Sequence, residues 1–213
     1  MTQQGRFITL EGGEGVGKST NLSFVRDYLH SRGIRVVTTR EPGGTPVAER
    51  IRALLLANDE QEPLDDLAEL LLVFAGRAHH LARVIRPALD RGEWVISDRF
   101  TDATFAYQGS ARGIAPERIA MLEQFVQQGL APDLTLWLDM PTSYASARLS
   151  SRGGERDRFE RERGDFFERV RQGYRARAEQ DPGRIVAVDA AQPLEQVQRD
   201  IALRLDQQLS SWN

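Results

Sequence analysis

The chain has 213 residues, of which 40% are hydrophobic and 28% charged, and its net charge is −3 with a pI near 5.7. This balance predicts one globular domain with a closed hydrophobic core and argues against a disordered or fibrous chain. The acidic charge disfavours a protein that coats nucleic acid, although it allows a local basic pocket. Because there is no cysteine, disulfides, a thiolate nucleophile and thiolate metal ligands are excluded, which fits a reducing cytoplasm. We also expect no membrane segment, since no apolar run approaches ~18 residues.

Short apolar runs alternate with helical stretches along the chain. The apolar runs predict buried strands at 7–10, 34–38, 94–97, 134–138 and 184–188. Periodic apolar positions predict helices at 18–31, 46–57, 64–90, 115–129 and 193–209. Strands that alternate with helices pair in parallel through right-handed crossovers. The expected fold class is therefore α/β, an open five-stranded parallel sheet with helices on both faces.

Polar or glycine-rich residues follow every predicted strand. They are Gly12–Ser19, Arg40 with Glu41, Asp98 with Arg99, Asp139 and Asp189. Parallel strands bring their carboxyl ends to one edge of the sheet, and ligands of open α/β sheets bind beyond that edge. The sequence thus predicts one polar site assembled from all five strands.

The segment Gly12–Ser19 matches the phosphate-binding pattern G-x-x-x-x-G-K-[ST]. Its glycines let several backbone N–H groups point at phosphate oxygens, and the helix that follows presents its positive end to the same anion. Lys18 is the only lysine among 28 basic residues, and its compact ammonium suits β- and γ-phosphates. Ser19 can ligate Mg²⁺. The pattern favours a nucleoside triphosphate with Mg²⁺ over a glycine-rich turn that only caps a helix.

Three arginines, Arg40, Arg52 and Arg99, are predicted near this edge and could clamp a second phosphate, although each alone could be surface charge. Asp98 could help to hold Mg²⁺ or could cap a helix. A GTPase switch is excluded, because the N-K-x-D motif needs a second lysine. A small kinase that acts on a phosphorylated acceptor fits these residues best. A deoxynucleoside kinase and a nucleotide-gated binding protein are the alternatives.

Ten arginines lie between residues 148 and 177. Glycines interrupt the pattern in 148–158, which favours a mobile basic lid, whereas 160–177 is typical of a solvated helix with salt bridges. We therefore expect a single domain over 1–213 with a lid subregion at about 148–160.

Five motifs are spread along the chain from Phe7 onward: FITLEGGEGVGKST, TREPGGT, FAGR, SDRF and YQG. Their combination resembles bacterial thymidylate kinase, and the resemblance covers nearly the whole chain, from Phe7 to the final helix. It implies the architecture of phosphate-loop nucleoside monophosphate kinases. It also implies transfer of the γ-phosphoryl group of ATP to dTMP, giving dTDP for dTTP biosynthesis, by a Mg²⁺-dependent cytoplasmic homodimer that binds no nucleic acid or membrane.

The resemblance implies a role for each matching residue. The ATP-binding set is Gly12, Gly13, Glu14, Gly15, Val16, Gly17, Lys18, Ser19 and Thr20, with Arg148 and the loop 189–193 near adenine. The dTMP-binding set is Arg40, Arg52, Phe74, Arg77, Arg99, Thr104, Tyr107 and Gln108. Within it Arg77, Thr104 and Gln108 read the thymine edge, and Tyr107 lies against the deoxyribose. The catalytic set is Lys18, Asp98, Arg99, Arg152, Arg156 and Arg158, and Ser19 and Asp98 hold Mg²⁺, partly through water.

Two positions leave alternatives open. The family places phenylalanine four residues before the thymine-reading arginine, but here that position is Val73, so either Phe74 turns to stack on the base or an aliphatic face does so. The phosphate loop carries Glu14 and no arginine, so the resemblance places the catalytic arginine in the lid. The spacing there does not choose between its three arginines. Leucine-rich faces of 64–90 and 115–129 are expected to form the dimer.

Overall fold

Five parallel strands form the centre of the described structure. The structure, a computed structural model, describes residues 5–57, 59, 61–152, 157–162 and 164–212, and the side chains of 150–152 are not described. The strands are β1 (Phe7–Glu11), β2 (Val36–Arg40), β3 (Trp94–Asp98), β4 (Leu134–Asp139) and β5 (Ile185–Asp189). They lie in the order β2-β3-β1-β4-β5 and every pair is parallel. This confirms the predicted sheet.

The strands are joined by helices whose ends carry recognisable signals. The helices are α1 (Lys18–His30), α2 (Pro46–Leu56), α3 (Asp66–His80), α4 (Arg86–Asp90), α5 (Thr101–Thr104), α6 (Pro116–Gln127), α7 (Thr142–Arg152), α8 (Gly164–Gln180) and α9 (Leu194–Trp212). Thr45 and Asp65 cap α2 and α3 by accepting hydrogen bonds from backbone N–H groups of the first turn. Proline opens α2 and α6, where its missing N–H has no cost.

The predicted helix over 64–90 is interrupted. A π-helical turn, Leu81–Ile85, separates α3 from α4. The physical reason is Pro87, which has no N–H to donate and whose ring would clash with the carbonyl of Arg83 in a regular helix. A second π-helical segment, Phe105–Ala111, follows α5 and is not predicted from the sequence.

The strands end slightly later in the chain than the sequence predicts. Strand β2 begins two residues later than predicted, because the backbone N–H of Ile34 donates a hydrogen bond to the carbonyl oxygen of Leu29 in the turn that ends α1. The polar residues at the edge therefore pair within the sheet. Arg40 lies opposite Asp98.

Apolar side chains fill both faces of the sheet. Ile8 and Ile96 pack on the face covered by α1 and α9, whereas Phe7 and Val95 pack on the face covered by the first π-helical turn and α4. Because helices cover both faces of the sheet, a ligand can reach it only at an edge. The polar residues at the carboxyl edge therefore indicate where the functional site lies. Among the described helices, none is long and apolar enough to cross a membrane.

Candidate active site

The phosphate loop connects β1 to α1 as the motif predicts. Gly15 and Gly17 have φ of 75° and 94°, a region that favours glycine, and a Cβ on Gly15 would lie 2.7 Å from the carbonyl oxygen of Ala145. Lys18 Nζ donates to the carbonyl oxygens of Gly12 at 3.2 Å and Gly13 at 2.7 Å. Burial lowers the pKa of Lys18. The loop thus holds a buried cation that an anion would stabilise.

A cavity of about 690 Å³ opens at the carboxyl edge of the sheet. It brings together residues of the predicted donor and acceptor sites in one space. From the predicted ATP-binding set, the cavity is lined by Glu14, Gly15, Val16, Gly17, Lys18, Ser19, Thr20 and Arg148. From the predicted dTMP-binding and catalytic sets, it is lined by Arg40, Arg52, Arg77, Asp98, Arg99, Thr104, Tyr107 and Gln108. Gly12 and Gly13 contribute through the carbonyls that hold Lys18.

Arg99 lies between the two halves of the cavity, just after β3. Its Nη2 donates to Glu14 Oε1 at 2.5 Å and to the Tyr107 hydroxyl at 3.1 Å. Burial alone would raise the pKa of Glu14, but Arg99 and Lys18 outweigh it and lower the pKa to about 2. Glu14 is therefore an ionised partner of Arg99 in this structure.

Arg40 and Arg52 line the same part of the cavity. Arg40 pairs with the half-exposed Glu49 at 2.9 Å, and Arg52 donates to the carbonyl oxygen of Pro42 at 2.9 Å. Burial and the positive charges of Arg40 and Arg99 lower the pKa of Arg52. These guanidinium groups make a region that favours an anion such as a phosphate.

Arg77 is buried at the inner end of the cavity. Its Nε donates to Glu41 Oε2 at 2.7 Å, and its Nη2 donates to Thr104 Oγ1 at 2.9 Å and to the carbonyl of Phe100 at 3.1 Å. Burial opposes ionisation of Glu41, but Arg77 and His80 outweigh it and lower the pKa of Glu41. Within the described part of the chain, Arg77 Nη1 is buried without a hydrogen-bond partner. One donor of a rigidly held guanidinium is thus left for a ligand.

The structure corrects the expectation for Phe74. Its side chain is buried with Leu70 and Ile119 between α3 and α6, and Val73 lines the cavity instead. Residues 73 and 74 point in different directions because neighbours on a helix are about 100° apart. The aliphatic side chain is the one that can face a ligand.

The predictions for the three lid arginines have different outcomes. Arg156 and the side chain of Arg152 lie outside the described residues. The guanidinium of Arg158 donates to Glu69 and to the carbonyl of Leu55, and it does not line the cavity. The structure therefore contradicts the expected position of Arg158 at the transferring phosphate. In the loop 189–193, Ala190 and Gln192 line the cavity.

A divalent cation would find oxygen ligands at the edge between Asp98 and Ser19. Asp98 Oδ1 is buried and has no hydrogen-bond partner among the described residues, and Ser19 lines the same cavity. The described residues include no group of three acidic or histidine side chains that could hold a metal alone. This donor set fits Mg²⁺, which takes one or two protein oxygens and completes its shell with water and nucleotide phosphates.

Two buried polar residues of the site, His80 and Glu69, are not found by sequence reasoning, which also places Glu41 at the sheet edge without giving it a partner. Glu41 accepts a hydrogen bond from Arg77 and is itself held by His80, and Glu69 accepts from Gln108. Glu41 belongs to the TREPGGT motif, which could have marked it. His80 and Glu69 lie on an ordinary amphipathic helix, where only the packing shows that they are buried.

Comparisons with known proteins agree with this geometry. The family model described as thymidylate kinase matches residues 10–201. The chain belongs to the thymidylate kinase family. It is 66% identical to a thymidylate kinase of Chromohalobacter salexigens over 98% of this chain and 99% of that protein. It is 58% identical to a thymidylate kinase of Teredinibacter turnerae over 95% and 98% of the two chains.

A solved structure of the same family shares the fold. It is the crystal structure of thymidylate kinase from Ehrlichia chaffeensis, with a TM-score of 0.75 and 33% identity. The match covers 95% of this chain and 99% of that chain. The match to the thymidylate kinase family therefore covers nearly the whole described fold, including the residues that line both halves of the cavity.

Proposed function

We propose that this chain transfers the γ-phosphoryl group of ATP to the 5′-phosphate of dTMP and so supplies dTDP for dTTP synthesis. The observation that carries this function is the single cavity that joins the phosphate loop to an arginine cluster and to Arg77. Membership of the thymidylate kinase family supports the same reaction. Two phosphorylated nucleotides can meet there with their phosphate ends together.

The donor end binds ATP. Backbone N–H groups of the phosphate loop and the N-terminus of α1 face the phosphates, and Lys18 exchanges its carbonyl partners for phosphate oxygens. Arg148 and the loop 189–193 lie near adenine. Ser19 and Asp98 hold Mg²⁺, which when bound supplies neutralisation of phosphate charge.

The acceptor end binds dTMP. Arg40, Arg52 and Arg99 hold the 5′-phosphate, and this phosphate competes with Glu14 for Arg99. Arg77 Nη1 donates to O4 of thymine, and Val73 offers an aliphatic face to the base. Tyr107 packs against the deoxyribose and leaves little room for a 2′-hydroxyl.

The chemistry needs positioning and charge neutralisation. The acceptor phosphate is already ionised, so no general base is required. Lys18 and Arg99 neutralise the oxygens around the transferred phosphorus, and Arg152 or Arg156 completes this when the lid closes. Closure also excludes water that would hydrolyse ATP. Arg158 is assigned to positioning because Glu69 holds its guanidinium.

The protein acts as a cytoplasmic homodimer formed by one domain with a lid at about 148–160. The large apolar side chains Leu67, Leu71, Met121 and Phe125 are exposed on α3 and α6, two helices that pack against each other. Exposed apolar side chains on neighbouring helices are typical of an interface. A second copy of the chain is the proposed partner.

A coupled assay with ATP, Mg²⁺ and a panel of monophosphates tests the function. We expect dTMP to be turned over faster than UMP, CMP, AMP or GMP. Faster turnover of any of these four would contradict the specificity. Activity on thymidine but not on dTMP would favour a deoxynucleoside kinase, and ATP binding without transfer to any acceptor would favour a nucleotide-gated binding protein.

A further inference from the structure

A fully buried carboxylate, Glu69, lies behind the acceptor end of the cavity. It is on α3, two turns before Arg77. Glu69 Oε1 accepts a hydrogen bond from Gln108 Nε2 at 2.7 Å. Glu69 Oε2 accepts from Arg158 and lies 3.4 Å from Arg112 Nη2. Two guanidinium groups therefore compensate the buried charge, and the remaining oxygen is directed to Gln108.

This contact decides which end of the Gln108 amide a ligand meets. A carboxylate can only accept, so Gln108 must turn its NH₂ group toward Glu69. The amide oxygen is then the group that Gln108, which lines the cavity, can present to a nucleobase. An oxygen there accepts a hydrogen bond but cannot donate one.

The fixed amide oxygen and Arg77 Nη1, which has no hydrogen-bond partner among the described residues, form a pattern of one acceptor and one donor. Thymine presents N3–H as a donor beside O4 as an acceptor, so both positions match. Cytosine presents N3 as an acceptor beside an amino donor, so both positions clash. A buried polar group left unpaired costs binding energy, and this makes the mismatch selective.

Arg158 connects the same carboxylate to the segment 157–162, at the end of the proposed lid. Its Nε donates to the carbonyl of Leu55 at 2.9 Å, and its backbone N–H lies 3.4 Å from the carbonyl of Leu56. The next residue, Phe159, packs edge-on against Tyr107, with ring centroids 5.8 Å apart. The end of α2, the segment 157–162 and the acceptor pocket are thus held together at Glu69.

We propose that Glu69 is a positioning residue for base selection, which fixes the Gln108 amide with its oxygen toward the acceptor base, and that Arg158 holds Glu69 in this role. The inference rests on the proposed function and names a determinant of its specificity. Glu69 does not touch the substrate and acts through Gln108.

The test compares kcat/KM for dTMP and dCMP in the wild type and in Glu69→Gln. The variant keeps the size of the side chain, but its amide can donate or accept, so Gln108 is free to turn. We expect the dTMP-to-dCMP ratio to fall about tenfold or more. In a Gln108→Leu background, Glu69→Gln should leave the ratio unchanged, because the amide through which it acts is gone.

Two further variants complete the test. Arg158→Met, which leaves α3 intact, should lower the ratio in the same direction even if Glu69→Gln fails to fold. Asp66→Asn is the matched control, because Asp66 is on the same helix as Glu69 but is half-exposed, with its Oδ1 3.5 Å from Arg112 Nε. The ratio should not change in this variant.

The outcomes separate the two proposals. An equal loss for both monophosphates, or an unchanged ratio in Glu69→Gln and in Arg158→Met, would overturn the role of Glu69 and leave the function standing. A wild-type protein that does not prefer dTMP would overturn both.

Discussion

Several buried polar atoms at the cavity have incomplete hydrogen bonding. Arg77 Nη1, Arg99 Nε and Asp98 Oδ1 are buried without hydrogen-bond partners in the described part of the chain. Each such atom costs on the order of 1–3 kcal/mol. Because all three residues line one cavity, ligands bound there can supply the missing hydrogen-bond or metal contacts of these atoms. The pattern is that of a site whose charges are arranged before its substrates arrive.

Glu14 makes the stability of this site depend on pH. Its folded pKa of about 2 lies below the ordinary value of 4.5, so the pair with Arg99 stabilises the fold above pH 4.5 and this stabilisation is lost as the pH falls toward 2. The contribution at neutral pH is at most about 3 kcal/mol. We expect the difference in unfolding free energy between wild type and Glu14→Gln to shrink between pH 6 and pH 3, measured by urea unfolding.

Asp27→Asn provides the control for this measurement. Asp27 pairs with Arg26 at 2.8 Å, but both side chains are exposed. Solvent screens such a pair, so its removal should change the pH dependence much less. An equal effect of the two substitutions would contradict the role given to the buried pair.

Helix α8 packs closely on the π-helical segment Phe105–Ala111, and this contact depends on Gly173. A Cβ at Gly173 would lie 2.6 Å from Ser110 Oγ and 2.8 Å from Ala106 Cα, closer than real contacts allow. The π-helical segment carries Tyr107 and Gln108 into the cavity. Helix α8 thus supports the acceptor pocket from behind.

Gly173→Ala should therefore damage the acceptor pocket as well as the fold. The methyl group forces the two elements apart, and overpacking of this kind costs about 1–3 kcal/mol. We expect a lower melting temperature and a higher KM for dTMP, with a smaller change in the KM for ATP. Calorimetry and steady-state kinetics measure these changes.

Gly164→Ala, in the first turn of the same helix, is the matched control. A Cβ there would meet none of the described atoms within 4 Å. It should leave both KM values unchanged, and a wild-type KM for dTMP in Gly173→Ala would refute the packing argument.

At the scale of the whole molecule, two faces of the chain differ in character. The carboxyl edge of the sheet carries the cavity, whereas the outer sides of α3 and α6 carry Phe125 and Met121, which are 78% and 70% exposed. Because α3 also carries Arg77 and Glu69, a partner that covers this helix would lie behind the acceptor pocket. If the proposed homodimer forms there, α3 contributes to both association and substrate binding.

The proposed homodimer predicts an effect of charge on this outer surface. In Phe125→Glu with Met121→Glu, two carboxylates would have to be buried unpaired at the interface, which is strongly unfavourable. We expect the wild type to have the mass of a dimer and the double variant that of a monomer, measured by size-exclusion chromatography with light scattering.

Leu203→Glu tests whether any exposed leucine would have the same effect. Leu203 is exposed on α9, away from α3 and α6. This variant should keep the mass of the wild type. A monomeric wild type, or a double variant that stays dimeric, would contradict the proposed interface.

The sequence by itself determined the features whose geometry is local. The phosphate loop is one, because glycine at positive φ and the N-terminus of α1 are encoded within eight adjacent residues. The parallel sheet is another, because alternating strands and helices leave few other topologies. The polar residues at the strand ends followed from the same rule.

The tertiary structure decided which side chains reach the cavity. Val73 and Phe74 are adjacent in sequence, and only the packing of α3 on α6 shows that Phe74 is in the core. In the sequence, Arg158 cannot be distinguished from several similar arginines nearby. Only the tertiary structure shows that it contacts Glu69, which lies 89 residues earlier. Such partners are distant in sequence and meet only when the helices pack, so no pattern within one segment can reveal them.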